Sequence, residues 1–134
     1  MRGVVLADAG PLYALRDPDD ALHERSREEL GRIESQRLRL VVPFPTLIES
    51  YALAQRRLGL AQGNSFLRYL VRTIVLLTPT EEDHRGAIRR VLRYPDQDIS
   101  LADAVLAEVS HRLEAPVWTY DHHFDVMDTR VWRT

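Results

Sequence analysis

Neither cysteine nor lysine occurs among the 134 residues of this chain. Without cysteine there are no disulfides, thiolate zinc sites or cysteine nucleophiles. Without lysine there is no side-chain amine for a Schiff base or for a P-loop; all 18 basic residues are arginine. No apolar run approaches the roughly 20 residues of a membrane span. Only Val4, Val5, Leu6 and Ala7 precede the first acid, too few for a secretory signal core, so a cytoplasmic location is expected. The net charge of −2 provides no global basic field to draw in nucleic acid. Any such contact must be local or assisted by bound cations. Repeats, low-complexity tracts and linkers are also missing.

What is present is an ordinary globular composition, 45% hydrophobic and 28% charged. The length favours one domain over residues 1–134. Short apolar runs at 4–7, 40–42, 74–77, 117–119 and 131–132 predict strands. Those at 4–7 and 74–77 are unbroken, as expected of strands covered on both faces. Helical stripes lie between them. One contains Leu22, Ser26, Leu30 and Ile33; another contains Leu47, Tyr51, Ala54 and Leu58 and is closed by Gly59. Asn64 is expected to cap a helix carrying Phe66 and Leu70, Thr80 to open a charged helix to about Arg93, and Ser100 to open one carrying Val105 and Val109. This alternation predicts an α/β three-layer sandwich around a mostly parallel sheet of about five strands.

Four acids stand where apolar segments meet a turn or a helix start: Asp8, Glu49, Asp103 and Asp121. Asp8 and Asp121 fall at the carboxyl ends of predicted strands, and Glu49 and Asp103 are expected in the first turns of helices that begin at or near that edge. Each also has a purely local reading. Thr46-x-x-Glu49 and Ser100-x-x-Asp103 resemble capping boxes, and Asp8 and Asp121 suit N-caps. Thr80-Glu81-Glu82-Asp83 is a capping box in charged surroundings, where no metal is required. Carboxylates among apolar residues need compensation for lost hydration. If the fold brings the four together, a divalent cation is the simplest source.

Other candidates carry less. Asp98 lies in a loop-like stretch, and Asp125 could share a face with Asp121. His23, His84, His111, His122 and His123 lack metal-ligand spacing, and packing or surface roles are expected. Arg85, Arg89 and Arg93 form a stripe beside Arg90, read as a solvated face in which Glu81 pairs with Arg85.

The order of these residues resembles the PIN-domain ribonucleases, especially VapC-type toxins of bacterial toxin–antitoxin pairs. Carrying the resemblance are Asp8-Ala9-Gly10-Pro11-Leu12-Tyr13-Ala14-Leu15 with His23 soon after, Glu49 following Pro45-Thr46, Leu101-Ala102-Asp103-Ala104, and Thr119-Tyr120-Asp121-His122-His123-Phe124. It implies a PIN-like nuclease domain that hydrolyses RNA phosphodiesters with Mg²⁺ or Mn²⁺, leaving a 5′-phosphate. Asp8 and Asp103 would bind the metal, with Glu49 and Asp121 completing the catalytic set. It also implies a homodimer and a cognate antitoxin, which could be received by a strip around Tyr51, Leu58, Phe66 and Tyr69. Ala9 departs from the pattern, because many members have Thr or Ser directly after the first acid.

Among rival readings, phosphoryl-accepting signalling domains and P-loop switches want a lysine. A haloacid-dehalogenase-like phosphatase wants an acid where Gly10 stands. A non-catalytic PIN-like module that binds RNA or protein remains the alternative, distinguished by having no carboxylate-dependent affinity for Mg²⁺ or Mn²⁺.

Overall fold

The computed structural model describes residues 2–133. Strands β1 (Val4–Ala7), β2 (Arg39–Pro43), β3 (Val75–Leu77) and β4 (Val117–Trp118) form one parallel sheet in the order β3-β2-β1-β4. All three pairings are parallel, with Leu6 opposite both Val41 and Val117. The predicted fifth strand is reduced to a bridge from Val131 to Val117, flanked by hydrogen bonds of Arg130 and Trp132 to Val117.

Helices α1 (Ala9–Arg16), α2 (His23–Ser35), α3 (Phe44–Leu58) and α4 (Leu60–Thr73) supply the layer on one face. On the other lie α5 (Glu81–Arg93), α6 (Leu101–Leu113) and the short α7 (His123–Val126). Strand alternation sorts the core between them. Val5, Ala7, Leu40, Val42 and Trp118 pack with Leu12, Phe66 and Leu70. Leu6, Val41 and Val117 pack with Val105, Leu106 and Phe124.

Three local expectations are corrected. Asn64 does not cap a helix; α4 begins just after Gly59, whose φ of +91° turns the chain out of α3. Asn64 sits within α4 and accepts a hydrogen bond from the Tyr51 hydroxyl at 2.7 Å. Thr46 is no cap either, since α3 starts earlier, behind Pro43 with proline at its second position. The run at 74–77 is not covered on both faces: β3 is an edge strand, and Leu76 is 50% exposed.

Thr80 and Asp83 form the expected capping box, yet Asp83 is not solvated. It is only 3% exposed and receives both Nε and Nη2 of Arg112 from α6. Burial pushes its carboxyl up, but Arg112 and the cap together hold it below the usual carboxylate range. Arg90 leaves the expected solvated stripe to pair with Glu108 and reach the Met127 carbonyl at 3.1 Å. Gly86 provides the room, since a Cβ there would collide with the Glu108 carboxylate. Two ion pairs thus lock α5 onto α6, the helix that carries Asp103.

Asp83→Ala should cost about 2 kcal/mol in urea unfolding by removing both the cap and the Arg112 partner. The exposed Asp125→Ala should change stability by less than about 0.5 kcal/mol. Equal effects would remove the clamp from this account.

Candidate active site

Asp8 directly follows β1 and caps α1, so its local and functional readings hold together. Its Oδ1 accepts the Ala9 N–H at 2.7 Å, and its Oδ2 accepts the Thr119 hydroxyl at 2.8 Å. A carboxylate has about four acceptor positions, so Asp8 retains capacity for a ligand. Glu49 comes from the second turn of α3 rather than the expected first, because the helix begins at Phe44, where β2 ends. Asp103 enters on α6, its N–H bonded to the capping hydroxyl of Ser100 at 3.0 Å. Asp121 follows β4; its N–H donates to Thr119 Oγ1 at 3.0 Å, and its Oδ1 accepts the His123 N–H at 2.9 Å.

All four sequence-predicted acids line one open cavity of about 440 Å³, together with Ala9, Gly10, Tyr120 and His122. One ligand oxygen each from Asp8, Glu49 and Asp103 lies within 4.8 Å of the others. Asp121 lines the same cavity, and its charge acts on Asp8, Glu49 and Asp103. Asp125 and Asp98 stay outside the cavity. Asp125 is exposed and faces Arg133 at 3.8 Å, and Asp98 lies in the solvated loop after α5.

The electrostatics match this crowding. Burial raises Asp8 above the usual carboxylate range, against the bonds from Thr119 and Ala9 that favour its charged form. Burial, then repulsion from Asp8, raises Glu49. Burial and repulsion from Asp8, Glu49 and Asp121 push Asp103 up to about 9. Asp121 goes the other way: burial would raise it, but the His123 backbone N–H and ring together hold it below the ordinary value.

Two contributors were missed in the sequence. Thr119 bridges Asp8 and Asp121, and its hydroxyl stands beside the first acid although position 9 has none. The available signal was the Thr119-x-Asp121 spacing, which suits a side-chain turn. The histidine pair also does more than expected. Ligand atoms of Asp121, His122 and His123 lie within 4.8 Å of one another, and the two rings stack at 4.3 Å between centroids. Opposed orientation of adjacent residues holds within a regular element, but His122 is the residue before α7, in a turn. His123 Nδ1 is 3.1 Å from Asp121 Oδ1 yet lacks an aligned hydrogen bond. His23 does pack, with Nδ1 2.7 Å from the Ala14 carbonyl.

A family model described as "PIN domain" matches residues 5–129. Among solved structures the chain is similar to VapC20 of Mycobacterium tuberculosis, a sarcin-ricin loop cleaving toxin, at 16% identity and a TM-score of 0.83, covering 97% of this chain and 99% of that one. It is also similar to VapBC2 of Rickettsia felis bound to a promoter DNA fragment, at 10% identity and a TM-score of 0.72, with 97% of each chain covered. VapBC-1 of nontypeable Haemophilus influenzae matches at 20% identity and a TM-score of 0.67, with 96% of each covered. At these identities the structures share the fold. No curated protein sequence matches the chain.

The raised Asp103 carboxyl sets a pH dependence in the metal-free protein. A group near 9 in the folded state and near 3.8 when unfolded keeps its proton longer in the folded chain. Stability therefore falls as pH rises through that window. In chelator, the wild-type melting temperature should drop from pH 5 to 9 more steeply than that of Asp103→Asn. Parallel curves would remove the repulsive cluster.

Proposed function

Since the chain belongs to the PIN-domain family, we propose that it is a metal-dependent endoribonuclease, the toxin of a toxin–antitoxin pair. One observation carries this reading: carboxylates from four separate segments meet in one cavity at the carboxyl edge of a parallel sheet. The similarity to an RNA-cleaving toxin supports it.

The donor set suits a divalent cation. Asp8, Glu49 and Asp103 offer hard carboxylate oxygens, which favour Mg²⁺ or Mn²⁺ over softer metals. Asp8 and Asp103 would be the principal ligands, with Glu49 and Asp121 completing the set. When bound, the ion supplies Lewis acidity toward water and the phosphodiester. The chain's own residues prepare the place. Thr119 anchors Asp8 and Asp121 relative to each other, and His123 keeps Asp121 ionised. Asp103 holds a proton at neutral pH, and a bound cation would supply the charge compensation that this proton now gives.

The partners follow from the same reading: an RNA substrate, a cognate antitoxin and a second copy of the chain. Of the strip expected to receive the antitoxin, Phe66 is core and Tyr69 is 37% exposed. Both line a groove of about 420 Å³ with Leu15, Leu30 and Arg27. Exposed Phe44 and Ile48 on α3 offer apolar surface for a homodimer. No described helix is long and apolar enough to cross a membrane.

RNA cleavage should require Mg²⁺ or Mn²⁺ and stop in chelator. Asp8→Asn and Asp103→Asn should each lose at least about 100-fold in rate, with the circular dichroism spectrum retained. Full activity in either variant, or in chelator, would falsify the nuclease reading.

A further inference from the structure

The acidic cavity is the middle of three. It shares Tyr120, Asp121 and His122 with a cavity of about 230 Å³ whose outer wall holds Arg25, Asp125 and Arg133. On its other flank it shares Ala9 and Glu49 with one of about 240 Å³ that holds Leu53 and Arg56. Shared lining residues set the three side by side as one trough, with carboxylates lining the acidic cavity and arginine in each neighbour.

We infer that this trough receives three consecutive phosphates of an RNA strand. The middle phosphate lies at the acids; one neighbour is held by Arg25 with Arg133, and the other by Arg56. The inference rests on the nuclease reading and deepens it. A trough with adjoining space on both flanks takes a strand by its interior rather than by its end.

The Arg25 end is built rather than incidental. The Arg25 guanidinium carbon lies 4.5 Å from the centre of the Tyr120 ring, and its Nε is 3.4 Å from Glu29. Glu29, whose side chain is 12% exposed, also accepts Trp118 Nε1 at 3.0 Å and the Tyr120 hydroxyl at 2.5 Å. Three donors therefore share one carboxylate, which fixes Tyr120 as a wall of both cavities and holds Arg25 over its ring. Stacking and a tether through Nε are compatible with phosphate binding by the terminal nitrogens, a geometry for which guanidinium is suited. Among the described residues Arg133 makes a loose, exposed contact with Asp125 at 3.8 Å, an interaction weak enough to exchange for phosphate. The acids on these walls, Asp121 and Asp125, are faced by His123 and Arg133 respectively.

The test is binding of a labelled single-stranded RNA of about ten nucleotides to the full chain in EDTA, by fluorescence anisotropy across a salt series. Arg25→Ala, Arg133→Ala and Arg56→Ala should each weaken binding several-fold and flatten the slope of log affinity against log salt by about 0.7. Arg85→Ala removes the same charge from the solvated face of α5 and should alter neither quantity. Wild-type affinity and slope in the Arg25 and Arg133 variants would overturn the trough. So would an equal loss in Arg85→Ala, or no RNA binding by the wild type at low salt. Arginine-dependent binding without cleavage in Mg²⁺ would uphold the trough and sink the nuclease; cleavage with arginine-independent binding would do the reverse.

Discussion

Carboxylates forced together where water is scarce repel one another and lose hydration, and everything around this cavity is arranged to contain that conflict. Asp8, at 6% exposure, keeps its place through two hydrogen bonds that favour its charge. Asp121 is kept ionised by the backbone and ring of His123. Asp103 faces the charges of Asp8, Glu49 and Asp121 and resolves the conflict by taking a proton, with its pKa pushed up to about 9. A divalent ion would replace that proton with a stronger compensation.

The chain solves the same problem twice, by different means. Asp83 is as buried as Asp8, yet Arg112 and the α5 cap neutralise it permanently, and its carboxyl falls below the usual range. That charge is spent on joining helices. Asp103, on the same α6 that receives this clamp, instead faces the carboxylates of Asp8, Glu49 and Asp121. The difference between a structural acid and a candidate ligand here is the presence of a guanidinium, rather than the degree of burial. This also explains why charged sequence surroundings misrepresented Asp83: Glu81, Glu82 and Arg85 face water on α5, while the N3 side chain turns inward to α6.

The trough extends the same economy of charge along the surface. Arginines occupy its ends and carboxylates its centre, so an anionic strand meets attraction on either side of a repulsive middle. The net charge of −2 conceals this pattern, because the opposing signs are segregated over a few residues instead of being spread across the molecule.

Much was written in local sequence. Apolar runs marked the positions of all four strands; three are buried parallel strands, which need little beyond unbroken hydrophobicity, and β3 is an edge strand that keeps the same apolar pattern. Thr80 and Ser100 marked their helix starts because a cap acts within three residues. The four acids could be nominated from their apolar settings. Edge exposure of β3, the inward turn of Asp83 and the bridging by Thr119 depend on which elements become neighbours. So does the meeting of Asp8 with Asp121, which requires β4 to pair beside β1 across more than a hundred residues. Short-range hydrogen bonding and patterning specify elements one at a time; only packing decides which charges must share a cavity and which find a partner.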